Sequence, residues 1–322
     1  MDSQQYSVGF ITCHYIQFEG NLMKINTLLK YNQFRLLLLL IALTFSQSNI
    51  VLAQTAEEFG AVINLSGKQR MLTQKMSKEI MLIALDIDKQ KNLQNLKATS
   101  SLFDKTLKGL RNGDADLSLP PTTSPKILRQ LDRVDKLWAE FYPIVQNVAS
   151  SGQASSQDVA SISATNLKLL KQMNKAVGAY EKEAATSGLK ATPGLATTLN
   201  LSGKQRMLTQ KMSKEFFMVA LNHETPENKL NLLETFTLFE RTLQGLKVGD
   251  STLGLPPTED TAILNQLDKV SSLWNDAKPV FVSATSQGAQ ISNDDKSKIA
   301  SLNVPLLKEM NAAVQMYEGL TK

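Results

Sequence analysis

Sixteen consecutive residues occur twice in this chain without a difference. Residues 64–79 and 200–215 both read NLSGKQRMLTQKMSKE, at an offset of 136. The offset persists outside that block. Phe103 matches Phe239, Gly113-Asp114 matches Gly249-Asp250, Pro120-Pro121 matches Pro256-Pro257, Leu131-Asp132 matches Leu267-Asp268, and Trp138 matches Trp274. After one inserted residue, Tyr180 matches Tyr317. A period this long is a domain, not a solenoid unit. Whatever the first half folds into, the second half must fold into as well.

Leu, Ala, Lys, Gln and Met dominate the regular stretches, and alternating β-branched residues are almost absent, so the expected class is all-α. Each copy divides into four helical stretches. They are predicted near 56–87, 90–111, 124–150 and 156–185, and near 196–222, 226–247, 259–286 and 293–320. Thr55 with Glu58 makes a capping box, and Ser124-Pro125 and Thr225-Pro226 place proline at a first helical position. Gly113 and the following Pro-Pro pair end the second helix. Four amphipathic helices on shortish loops pack as an antiparallel bundle. The expected architecture is therefore two tandem four-helix bundles, 54–188 and 196–322, around a linker at 189–195. Each bundle is expected to fold on its own.

The first 53 residues read as a targeting signal. Lys24, Lys30 and Arg35 precede the apolar run at 36–45, and Val51-Leu52-Ala53 supplies small residues before Gln54. Cleavage after Ala53 is expected, with export to the periplasm or outside the cell; an uncleaved N-terminal anchor is the alternative. Met23 would begin a signal of more usual length. The only cysteine, Cys13, and one of two histidines, His14, lie in this leader, so no disulfide, thiol chemistry or metal site is expected downstream. Net charge is +5 overall. That mild excess admits anionic ligands without selecting one. No basic run with interleaved aromatics points to nucleic acid.

At about 100° per residue, the helix around Arg70 shows three faces. Val62, Leu65, Leu72, Met76, Ile80 and Ile83 form a core side. Lys68, Lys75 and Glu79 form a solvated side. The third face collects Ile63, Ser66, Gly67, Arg70, Gln74, Ser77 and Met81, and Ser202, Gly203, Arg206 and Gln210 repeat it. A mid-helix glycine costs roughly 1 kcal/mol against alanine. Close approach of another backbone or a ligand offsets that cost. A guanidinium on such a face offers a planar fork of donors suited to a carboxylate or other planar oxyanion. An ordinary structural ion pair is the competing reading for a lone arginine.

At these residues the sequence resembles a known family. Ile63-Asn64-x-x-Gly67-x-x-Arg70-Met71 is similar to the helix-1 P-box of NarX-type nitrate/nitrite sensors. Gly-x-Gln-Arg-Met-Leu-x-Gln, at 67–74 and 203–210, resembles still more the PilJ-type domain of type IV pilus chemotaxis transducers. The resemblance implies a periplasmic four-helix bundle. It also implies that an anion lies between two first helices, held by Arg70 and Arg206 with Gly67 and Gly203 lining the approach. The two first-helix faces are expected to meet either as an intramolecular pseudo-dimer or in a homodimer. Family receptors usually continue into a second membrane helix and cytoplasmic modules, whereas this sequence ends at Lys322.

The functional expectation is an exported, non-enzymatic sensory module, without cofactor, that binds a small anion through Arg70, Arg206, Gly67, Gly203, Ser66, Ser202, Gln74 and Gln210. It would serve a membrane receptor. The alternative is a pilus or envelope interaction protein with no small ligand. No Ser/His/Asp or Cys/His set supports an enzyme.

Overall fold

The computed structural model describes residues 54–322. The leader, its proposed cleavage point and Cys13 lie outside the described residues. Eight long helices carry the fold. In the first copy they are α1 (Ala56–Ala84), α2 (Lys89–Asn112), α3 (Pro125–Ser151) and α4 (Ser156–Thr186). In the second they are α5 (Leu195–Ala220), α6 (Thr225–Val248), α7 (Thr261–Thr285) and α8 (Asn293–Gly319). The predicted boundaries agree to within three residues.

Local chemistry explains where the helices begin. Thr55 and Glu58 form the expected capping box, and Ser155/Asp158 and Ser292/Asp295 form two more at equivalent places in the copies. Such reciprocal caps satisfy backbone N–H groups that a first turn leaves unpaired. Gly113 and Gly249 end α2 and α6 with φ of +83° and +86°. That left-handed backbone is cheap only for glycine. It turns the chain into the short Asp114–Leu119 and Asp250–Leu255 bridges that precede each Pro-Pro pair.

Within each copy the helices close a ring. α1 packs on α2 and α4, and α3 on α2 and α4; α5 to α8 repeat the pattern. The two tryptophans mark the same place in each core. Trp138 lies 4.3 Å from Phe103, ring centre to ring centre, and Trp274 lies 5.1 Å from Phe239. Such pairs add to the burial of 150–250 Å² that each aromatic brings.

The most extensive helix–helix contact joins the copies rather than the helices of one bundle. It runs between α1 and α5, the two helices that carry the repeated block. α1 is therefore enclosed on nearly every side. Two expectations need correction. Glu79, read as solvated, is 1% exposed, because it faces α2, where the Thr99 hydroxyl reaches it and Lys75 lies over it. Leu65, read as core, is only half-buried. The stretch between bundles is also more than a tether. Leu189 is buried, and Gly188 lies so close to the Phe59 ring that a methyl group there would stand 2.2 Å from it.

Candidate functional site

The third face of α1 is buried along its length: Ile63, Ser66, Gly67, Arg70, Gln74, Ser77 and Met81 are all enclosed. At its centre Arg70 and Arg206 stand on opposite sides of the α1–α5 contact, 3% and 1% exposed. Two glycines let them approach. A methyl group at Gly67 would stand 3.3 Å from Arg70 Nη2 and 3.7 Å from Arg206 Nη2. One at Gly203 would stand 3.4 Å from Arg206 Nη2 and 3.6 Å from Arg70 Nη2. The bare glycine surface of each helix is thus the floor on which both guanidinium groups lie.

Each arginine binds the other copy's backbone. Arg70 Nη2 donates to Asn200 O at 3.0 Å, and Arg206 Nη2 donates to Asn64 O at 2.9 Å. Arg206 Nη1 donates to Asn311 Oδ1 at 2.9 Å, and Arg70 Nη1 to Asn174 Oδ1 at 3.4 Å. The same asparagines carry the nearest carboxylates. Asn64 Nδ2 donates to Glu318 and Asn200 Nδ2 to Glu181, both at 2.5 Å. No carboxylate makes an ion pair with either arginine among the described residues. Both Nε donors are buried without an acceptor. Two enclosed cations face each other, then, with spare donors and only neutral partners.

The electrostatic consequence is large. Burial, and next the Arg206 charge, push Arg70 down to about 9, against a smaller opposing pull from Glu181. Burial pushes Arg206 down to about 10, opposed by Glu318. The two flanking lysines register the same field across the contact. Lys68 is lowered by burial and by Arg206, and Lys204 by burial and by Arg70. An anion bound here would relieve all of these groups at once.

The remaining expected site residues divide. Gln74 and Gln210 lie one turn further along the same face, fully buried, each with an unpaired Oε1. Ser66 and Ser202 are enclosed too, but their hydroxyls donate to Ile63 O and Leu199 O of their own helices. They contribute small size rather than a free donor.

A second polar layer went unread in the sequence. Lys78 and Lys214, each 4% exposed, also cross between copies. Lys78 Nζ donates to Asn303 Oδ1 at 2.7 Å, and Lys214 Nζ to Asn166 Oδ1 at 3.3 Å. Each asparagine is pinned by its own copy: Asn166 to Thr73 O and Ser77 Oγ, Asn303 to Thr209 O and Ser213 Oγ. The recoverable signal was the repetition of Asn166, Asn174 and Glu181 as Asn303, Asn311 and Glu318, at one residue beyond the main offset.

Burial pushes both lysines down to about 8. The unfolded chain, with ordinary lysines near 10.5, then binds more protons than the folded chain from about pH 8 upward. Stability must rise with pH through that window. The lowered arginines act in the same direction, and the tyrosines Tyr180 and Tyr317, raised by burial, oppose it only above their ordinary value of 10.0. In anion-free buffer the urea midpoint is expected to be higher near pH ~9.5 than near ~7.5. A midpoint that falls over that interval would show that burial does not depress the two lysines.

Two four-helix bundles meeting through their first helices, with a polar centre between them, define a tandem helical-bundle protein. Residues 51–165 and 189–298 each match the family described as "Type IV pili methyl-accepting chemotaxis transducer N-term", and the chain belongs to this PilJ family. It is 30% identical over 115 residues to "Methyl-accepting chemotaxis protein McpN" of Pseudomonas aeruginosa. That match covers 36% of this chain and 21% of McpN, so the chain spans about a fifth of that relative. Membership of this family marks the chain as a sensory-type module. Among the described residues, no helix is long and apolar enough to cross a membrane.

Proposed function

We propose that this protein is an exported, non-enzymatic sensory module that binds one small planar anion, an oxyanion such as nitrate or a small carboxylate, between Arg70 and Arg206. The facing of two buried arginines without an anionic partner carries this reading. Burying an unpaired cation costs several kcal/mol, and a bound anion offsets that cost where the geometry provides donors. The unpaired Nε groups and the Nη groups over Gly67 and Gly203 provide them. Gln74 and Gln210 sit beside the ligand, and the serines keep the helices close. The bound form serves a membrane receptor, as befits a family named for a transducer's N-terminal part. Removal of the leader after Ala53 belongs to the same reading.

The test is an isotherm on residues 54–322 with nitrate, nitrite and acetate. Because the two arginines of one chain make one site, the expected stoichiometry is one anion per chain. Two per chain would place an anion on each bundle separately. No binding by any of the three would favour an envelope or pilus interaction protein without a small ligand.

A further inference from the structure

The copies differ where they do not need to, and one difference surrounds a buried cation. Lys214 lines a cavity of about 180 Å³ between the copies, bounded by α4 of the first and by α5 and the start of α6 of the second. Glu224 and Glu227 also line it, and both are exposed where Lys214 is buried, which puts them at its rim. Ser163, Asn228 and Asn231 add polar wall, and Leu167 and Met218 add apolar wall. Ser163 Oγ donates to Glu224 Oε2 at 3.0 Å, which ties the two copies together across the mouth.

The lysine and the glutamates do not meet: neither Glu224 nor Glu227 is within ion-pair distance of Lys214. The one hydrogen bond of Lys214 is the 3.3 Å contact to the neutral Asn166 amide. An ammonium has three donors. The cavity thus separates an under-satisfied cation at its floor from two carboxylates at its rim. A simple anion would be drawn to the floor but repelled by the rim. A simple cation would be drawn to the rim but repelled by the floor. Only a molecule with both charges satisfies both ends. The volume is below the ~300–1,000 Å³ of pockets for drug-sized ligands, so the occupant has few heavy atoms. The corresponding place in the first copy has Lys91 where the second has Glu227, and Lys91 adds to the positive field on Lys78. The pair of rim carboxylates therefore belongs to the second copy, since the first keeps only Asp88, at the position of Glu224.

We infer that this cavity is a second ligand site, distinct from the arginine pair, for a small zwitterion of the α-amino acid class. The carboxylate of the ligand faces Lys214, and its ammonium faces Glu224 and Glu227. Ser163 lies at the rim, so occupancy also bridges α4 to α6 and couples the two bundles.

The test is calorimetric titration of residues 54–322 carrying Arg70→Ala, which removes the arginine-pair site, with glycine and with L-alanine, beside acetate and methylamine as the separate halves of the ligand. One zwitterion per chain is expected, bound at least tenfold more tightly than either half. Glu227→Lys, which copies the first bundle's residue at an exposed position, is expected to abolish binding while the helical spectrum and melting are retained. Lys214→Met tests the floor in the same way. No binding of glycine or alanine at millimolar concentration would overturn the inference. So would equal binding of acetate or methylamine, or binding that survives Glu227→Lys.

Discussion

Arg70→Ala and Arg206→Ala are each expected to abolish the anion-dependent rise in melting temperature while leaving the anion-free protein folded. The wild-type rise follows from mass action, about 2.7 kcal/mol at a hundredfold excess over Kd. For a chain of this size that is roughly 4–5 °C. The anion-free variant sets two effects against each other. Removing Arg70 leaves the Asn200 carbonyl without its donor, a loss of about 1–3 kcal/mol. It also removes one of two facing buried cations, whose burial costs several kcal/mol. The second effect is the larger, so the anion-free variants should melt no lower than wild type. Arg→Lys should lose the response as well, because an ammonium lacks the planar fork. A melting series of the three proteins with nitrate, nitrite and acetate decides it. An equal shift in all three would place the anion elsewhere.

Separating the bundles should have the other large effect. Residues 54–188 and 192–322, made as fragments, would each expose the face from Ile63 to Met81 or its equivalent on α5. That face holds a buried arginine and a buried lysine, and α5 is about 39 Å long. Faces built from the same sixteen residues are self-complementary about a two-fold axis. Each fragment is therefore expected to fold cooperatively as a homodimer, and an equimolar mixture to form mixed pairs. Sedimentation velocity at about micromolar concentration, with circular dichroism, is the measurement. Fragments that stay monomeric and folded would show that the paired face does not drive association. Fragments that fail to fold at all would show that the bundles share one core.

These expectations were only partly open to sequence reading. The repeat, the punctuation by proline and glycine and the apolar periodicity of α3 and α7 lead to four helices per copy, because those signals are local. The burial of Glu79, Lys78 and Lys214 is not local. Their partners lie 20 residues away in α2 or, for the lysines, in the other copy at separations of 225 and 48 residues. A helix packed on two opposite sides has no clean polar face, so amphipathic analysis assigns its charged residues to water. The arginines were located because a glycine three residues earlier on the same face needed an explanation. The lysines had no such neighbour.

Joining the paired helices α1 and α5 in one polypeptide changes what dilution and mutation can do to the site. Subunits that meet by collision separate at low abundance, whereas these two helices stay at one fixed local concentration. The response would then be the same for a scarce protein as for a plentiful one. In a homodimer every substitution appears twice, once on each side of the axis. Here each substitution falls on one side only, so Glu227 can differ from Lys91. The pair is free to lose its symmetry one residue at a time, and a lopsided ligand can be accommodated without a second gene.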